Sequence, residues 1–295
     1  MISVIIPTYN RAATIKRAAE SVLAQTVHDL ELIIVDDGST DNTREIVNSI
    51  SDERVIYIYQ ENAGACAARN NGIDHARGEY ITFQDSDDAW HPDKLERQIA
   101  TLKEYGADVC FCRLEKRFVE ENRDTVLWPR LDKTALLTRE ELIKRPIIST
   151  QTIIGKGAVF EEYKFDPDCK KGQDYDWAIR ASREFSFVFS ADVLVDQYYQ
   201  TDSITMKGTL KAAEAREFLL KKYPEEIKEF PSFYYNQLEA IAFYRTLLNE
   251  DTGKYYKKMF SMDHSPETLF KCIMAKLGLL NKYYKVRGLY KDTLR

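Results

Sequence analysis

The sequence predicts an α/β protein, a mostly parallel sheet flanked by helices, with a small helical region appended at its C-terminal end. Three observations lead there. Short apolar runs alternate with helix-forming stretches through the first part of the chain, the pattern of strands joined by helical crossovers. Runs such as Val4-Ile5-Ile6 and Leu32-Ile33-Ile34-Val35 have no polar face, so they suit strands covered on both sides. Beyond about residue 207 only helical patterns remain.

Taken in order, residues 2–6 form a first strand ending at Pro7, followed by a helix over 12–25. Residues 30–35 give a second strand and 40–50 a helix; 55–59 a third strand and 64–76 a helix; 80–83 a fourth strand. Right-handed crossovers place these strands parallel. A helix over 92–105 carries proline in its first turn, where the missing N–H costs nothing. A strand over 108–113 follows, then a mixed segment over 118–146 with a short helix near 139–144. The stretch 151–160, a helix near 174–184 and strands near 187–189 and 193–199 complete the first domain. Helices are expected over 210–222, 232–249, 253–262 and 266–279. A boundary near residue 205 separates 1–205 from 206–295.

Bulk properties exclude several classes. With 295 residues, the chain exceeds the usual single domain, and 44% hydrophobic with 30% charged residues is ordinary globular composition. A net charge of −5 argues against nucleic acid as a partner. The opening residues run straight into a strand with no basic stretch or cleavable site, and no window approaches the ~20 apolar residues of a spanning helix. Cys66, Cys110, Cys112, Cys169 and Cys272 are scattered and lack zinc spacing. Cys110 and Cys112 alternate within an apolar run and read as buried small hydrophobes on one strand face. A reducing compartment, the cytoplasm, is expected.

In open parallel sheets ligands bind beyond the carboxyl ends of the strands. After the first strand stands Pro7-Thr8-Tyr9-Asn10-Arg11; Tyr9 reads either as a platform for a nucleobase or as a partly buried loop tyrosine. After the second, Asp36-Asp37-Gly38-Ser39-Thr40-Asp41 combines a glycine turn and helix-capping hydroxyls with two adjacent acids. A carboxylate there can accept a nucleobase N–H. After the third, Arg69 lies in a helix rich in small residues, within reach of a phosphate or base; its alanines read as close helix–sheet packing. After the fourth comes Gln84-Asp85-Ser86-Asp87-Asp88-Ala89-Trp90. Its three carboxylates repel one another unless a hard divalent cation, held by one or two of them and by substrate phosphates, sits between. Farther on, Gln173-Asp174-Tyr175-Asp176 opens a helix; Asp174 is either its N-cap or a general base.

In this order and spacing the motifs resemble glycosyltransferase family 2, whose members have the GT-A fold. The matching residues are Ser3-Val4-Ile5-Ile6-Pro7-Thr8-Tyr9-Asn10, Val35-Asp36-Asp37-Gly38-Ser39-Thr40-Asp41, Asn70 and Gly72 leading to Gly78-Glu79-Tyr80, Asp85-Ser86-Asp87-Asp88-Ala89-Trp90, and Gln173-Asp174-Tyr175-Asp176. The resemblance covers roughly residues 1–200 and implies an inverting transferase using a nucleotide-sugar, most often a UDP-sugar. Pro7, Tyr9, Asp36, Asp37, Arg69, Asp85 and Ser86 would meet the nucleotide-sugar, Asp87 and Asp88 a Mn²⁺ or Mg²⁺ ion, and Asp174 would be the base. The usual Glu-Asp pair reads Gln173-Asp174 here. The Gln-x-x-Arg-Trp motif and membrane helices of processive members are absent, which implies one sugar added to a glycan or lipid-linked acceptor, as in bacterial surface polysaccharide synthesis.

Three rivals fit less well. A Rossmann oxidoreductase wants a Gly-x-Gly-x-x-Gly turn after the first strand, and a sugar nucleotidyltransferase a glycine-rich basic loop there; the first loop has no glycine. A non-catalytic binding module would have no use for the acids at 85, 87 and 174. In the C-terminal region, residues 251–295 hold ten Lys or Arg against four Asp or Glu, interleaved with aromatics. That composition reads equally as a helical cap with inward tyrosines or as peripheral contact with the inner face of the cell membrane, with no long apolar face evident. The same helices are candidate homo-oligomer contacts.

Overall fold

Strand β1 (Ile2–Thr8) lies between β2 (Leu30–Asp36) and β4 (Tyr80–Phe83), parallel to both, and β3 (Val55–Tyr59) extends the sheet beyond β2. The chain is described here from a computed structural model, which covers residues 1–118, 125–169, 172–199 and 209–286. It divides into two units, Met1–Thr201 and Asp202–Arg295. The expected boundary near residue 205, like residues 119–124 of the mixed segment, lies outside the described residues.

In the first unit α1 (Ile15–Leu23), α2 (Thr43–Asn48) and α3 (Ala65–His75) connect the first four strands. After β4 follow β5 (Ala89–Trp90), α4 (Lys94–Tyr105), β6 (Val109–Phe118), β7 (Val126–Trp128), β8 (Ala135–Leu137), α5 (Arg139–Lys144), β9 (Ile153–Lys156), α6 (Gly157–Glu162), α7 (Gln173–Ala181) and β10 (Phe187–Tyr199). The sheet runs β3-β2-β1-β4-β9-β6-β10-β5, with β7 on β6 and β8 on β10. β9 enters antiparallel between β4 and β6, so the sheet is mixed yet mostly parallel.

Alternate residues of the strands bury on opposite faces. Val4, Ile6, Leu32, Ile34, Cys110 and Cys112 face α1, α2 and α4; Ile5, Ile33, Val35, Val109 and Phe111 face α3, α6 and α7. Both faces are covered, which is why the runs carry no polar side. Gly72 lets α3 close on β1: a Cβ there would stand 2.4 Å from Ile5 Cγ2.

Two elements differ from expectation. The strands expected near 187–189 and 193–199 are one, β10, whose pairing with β6 shifts register across Ser190–Val193, so the polar interruption is a bulge and not a turn. The stretch 151–160 divides into a short 3-10 turn, β9 and α6.

The second unit is helical: α8 (Thr209–Lys222), α9 (Pro224–Lys228), α10 (Pro231–Leu247), α11 (Gly253–Phe260), α12 (Pro266–Lys276) and α13 (Leu280–Val286). Leu238, Ala242, Tyr256, Met259, Leu280 and Tyr284 form its core, with the Tyr256 and Tyr284 hydroxyls 2.6 Å apart. These tyrosines therefore pack within their own unit. No described helix is long and apolar enough to cross a membrane.

Candidate active site

The loops after β1 and β2 are laced together by backbone donors and short polar side chains. Asn10 N–H donates to Ser39 Oγ (2.9 Å), Arg11 N–H to Thr43 Oγ1 (2.8 Å) and Ala12 N–H to Asp41 Oδ2 (3.1 Å), while Asn10 Oδ1 accepts from Thr40 N–H (2.8 Å). The hydroxyls and third acid of the Asp-Asp-Gly-Ser-Thr-Asp segment thus hold the neighbouring loop. Tyr9 remains 47% exposed at its tip, with Pro7 half-buried beneath.

The adjacent acids are both buried and differ in their partners. The Oδ1 of Asp36 accepts from Ser39 N–H (2.8 Å) and its Oδ2 from Tyr57 OH (2.7 Å). Asp36, expected to meet the nucleotide, shapes the turn through these two bonds. Asp37 accepts from Gln60 Nε2 (2.7 Å), Ala63 N–H (2.8 Å) and Gly64 N–H (2.8 Å), fixing the loop after β3. Its Oδ2 carries only the Gly64 bond, which leaves a lone pair for a further donor.

Beyond β4 the acidic turn meets three arginines. Arg69 Nη2 lies 3.3 Å from Asp85 Oδ1, and Arg11 Nη2 lies 3.4 Å from Asp87 Oδ2. Arg17 donates to the Asp87 carbonyl and stacks over the Tyr198 ring, 4.1 Å from its centroid. Burial first, and the Asp85 charge second, push the Asp87 carboxyl up; Arg11 and Arg17 oppose the rise. Asp88, only 2% exposed, turns inward and accepts from Tyr198 N–H (2.7 Å). Burial, with the charges of Asp85 and Asp87, raises its carboxyl well above the usual range. Asp88, expected beside Asp87 at a metal, anchors β10 behind the turn through the Tyr198 N–H. Ser86 is buried within the turn. Among the described residues no three acidic, His or Cys side chains converge as a metal cage.

Arg69 ties this turn to α7. While Nη2 faces Asp85, its Nη1 donates to Gln173 Oε1 (2.9 Å), and the guanidinium lies over Phe165, 5.5 Å from the ring centroid. Asn70, next along α3, fixes Phe165 by bonding both its N–H and its carbonyl. α7 takes Gly172 as its N-cap, so Asp174 is not the cap; its Oδ1 accepts from Tyr175 N–H (2.8 Å). Burial pushes the Asp174 carboxyl up to about 6, with Arg69 opposing the rise and Asp85 adding to it. Asp85, Arg69, Gln173 and Asp174 therefore form one electrostatic group drawn from the β4 turn, α3 and α7.

Other motif residues lie elsewhere. Ser3 and Gly78 sit at the amino end of the sheet, where Ser3 Oγ donates to Glu31 (2.6 Å) and accepts from Gly78 N–H (2.8 Å). Sequence reasoning assigned no part to Arg11, Arg17 or Tyr198. Arginine beside the acidic turn was legible only as composition, and Tyr198 joins from a distant strand through its backbone N–H and its ring, a pairing that local sequence does not reveal.

The fold is that of GT-A glycosyltransferases. Staphylococcus aureus TarS, solved as residues 1–349 in complex with UDP-GlcNAc, shares the fold with a TM-score of 0.62 at 21% identity, over 93% of this chain and 79% of that one. Sequence then fixes the family: the glycosyl transferase family 2 profile matches residues 3–164, and the chain belongs to that family. An uncharacterised glycosyltransferase of Rickettsia typhi is 30% identical over 74% of this chain and 70% of its own. Escherichia coli WcaA, named for colanic acid biosynthesis, is 36% identical over 63% of this chain and 67% of its own. Bacillus subtilis TuaG, named for teichuronic acid biosynthesis, is 37% identical over 52% of this chain and 61% of its own. Against Streptococcus pneumoniae GlyA, the match spans 27% of that protein's length.

Proposed function

We propose that the chain moves one sugar, with inversion, from a UDP-sugar to a hydroxyl of a glycan or lipid-linked acceptor in the synthesis of bacterial surface polysaccharide, acting in the cytoplasm. The observation that carries this reading is the Arg69 bridge, which joins the acidic turn to the helix bearing Asp174. The names of WcaA and TuaG and the TarS complex support the substrate class.

In this mechanism Tyr9 offers its exposed ring to the nucleobase and Asp37 its remaining lone pair to a base N–H. Asp174 accepts the proton of the acceptor hydroxyl. The acceptor oxygen bonds to the anomeric carbon as that carbon's bond to the diphosphate breaks, releasing UDP. A carboxyl of pKa about 6 is mostly ionised at pH 7 yet basic enough to take that proton.

The donor set fits a hard cation that takes few protein ligands. Asp87 is half-exposed with its charge crowded by Asp85, and Asp88 is turned away, so one carboxylate faces outward for Mn²⁺ or Mg²⁺, the remainder coming from diphosphate. When bound, the ion offsets negative charge on the departing diphosphate.

The test is a panel of nucleotide-sugars offered to the purified chain with Mn²⁺ or with excess chelator, reading nucleotide release and thermal stabilisation. One donor should stabilise the protein and turn over only with metal, and Asp87→Ala should abolish release. Full activity in chelator would sink the metal assignment; stabilisation by no nucleotide-sugar would sink the donor reading.

A further inference from the structure

Helix α12 is apolar on more than one side. Inward it carries Thr268 and Lys271, both buried, beside Cys272, Met274 and Ala275, which pack on the core of the unit. Lys271 Nζ bonds Glu239 Oε1 (2.7 Å) and Glu267 Oε1 (2.9 Å), and Thr268 Oγ1 lies 2.6 Å from Tyr235 OH. Its outward side carries Leu269, Phe270 and Ile273, with Leu277 at its C-cap, each between 43% and 62% exposed; the Phe270 ring also meets Tyr283 edge-on, 5.4 Å between centroids. Leu269, Ile273 and Leu277 are spaced i, i+4, i+8 and so align in one stripe, with Phe270 beside it. A surface helix ordinarily turns such a stripe toward the core. Of the ten exposed large hydrophobics among the described residues, three stand on this one helix and a fourth, Leu277, is its C-cap. The sequence shows no long apolar face here, and this stripe, confined to one short helix, lies hidden among alternating Lys and aromatics.

Charge identifies the occupant. Lys276 on α12, Lys282 on α13, and Lys257 and Lys258 on α11 are exposed, with no described carboxylate at ion-pair distance. The segment 251–295 holds ten basic against four acidic residues. A second copy meeting the same face would set two basic surfaces against each other. A bilayer with anionic headgroups instead accepts the apolar stripe at its acyl boundary and attracts the exposed lysines of the unit, of which Lys276 precedes Leu277 in the chain. The geometry points to α12 as an interfacial helix that lays Leu269, Phe270, Ile273 and Leu277 into an anionic lipid surface. This is independent of the proposed sugar transfer, because lipid binding needs neither donor nor turnover.

The test is sedimentation of the full chain with vesicles of phosphatidylglycerol and phosphatidylcholine, and with vesicles of phosphatidylcholine alone. Wild type should bind the anionic vesicles and Ile273→Glu/Leu277→Glu should weaken this about tenfold or more. Lys276→Glu/Lys282→Glu should weaken it too, leave the apolar stripe intact and reduce the salt dependence. Both variants should keep the wild-type melting temperature and elute as wild type by size. Three results would overturn the inference: equal binding by wild type and the stripe variant, a lower melting temperature in the stripe variant because the face packs on the chain itself, or a wild-type dimer that the stripe variant dissolves.

Discussion

Replacing Asp174 by Asn removes a charge and keeps the shape, so it separates catalysis from structure. Burial holds this carboxyl at about 6 against an ordinary value of 3.8. An acid whose folded pKa is raised destabilises the fold once ionised. Below about pH 4 both folded and unfolded chains hold the proton and nothing is lost. Between about pH 4 and 6 only the folded chain holds it, so stability falls as pH rises; above 6 the loss is complete. The gap from 3.8 to about 6, at about 1.36 kcal/mol per pH unit, amounts to about 3 kcal/mol. Asp174 keeps partial solvent access, which reduces the measurable part to roughly 1–2 kcal/mol. Asp174→Asn should therefore melt about 2–8 °C higher than wild type at pH 7 and equal it near pH 4. Donor affinity should change little while transfer drops roughly 10²–10⁴-fold. Calorimetry at the two pH values, donor titration and a transfer assay measure these separately. A variant that transfers at the wild-type rate, or that melts with wild type at pH 7, refutes the reasoning.

Two further outcomes follow from the same contacts. Arg69 opposes the rise of the Asp174 carboxyl, so Arg69→Gln should shift the acid limb of the transfer pH profile to higher pH; an unmoved limb would disconnect the pair. Gly72→Ala places a Cβ 2.4 Å from Ile5 Cγ2, and this overpacking should cost about 1–2 kcal/mol in urea unfolding even after alanine's helix preference is counted. A stabilised variant would show that α3 has room to move away from β1.

The first four strands and their parallel pairing were legible because each has an apolar run at its heart and each crossover helix has its own polar punctuation. Legibility ended where polarity and structure part company. Ser190-Ala191-Asp192 reads as a break, yet β10 continues through it as a bulge, because β6 supplies a partner on either side. Trp90 and Ala89 pair with Val195 and Asp196 at the sheet edge, a contact two residues long that leaves no periodic trace. In the second unit the aromatics were visible, but not which of them point inward. Tyr256 and Tyr284 find each other's hydroxyls and bury, while Leu269 and Ile273, the better core residues by composition, stand outside.

In the site, the types of residue were legible and their division of labour was not. Asp36, Asp37, Asp85, Asp87 and Asp88 look alike in sequence; what separates them is which partners the fold has aimed at each carboxylate oxygen. Asp36 is committed to Ser39 and Tyr57, and Asp88 faces the Tyr198 backbone, whereas Asp87 has only Arg11 beside its carboxylate at the surface. The substitution of Gln for the family's usual Glu at 173 gains its meaning the same way. Gln173 accepts from Arg69 without carrying charge, so Arg69 keeps its cation for Asp85 and Asp174. A glutamate there would bind Arg69 as an ion and add a like charge one residue from Asp174, and both effects would push the Asp174 carboxyl higher still. The neutral side chain at 173 thus keeps that carboxyl near 6, where it is ionised at neutral pH and still able to take a proton.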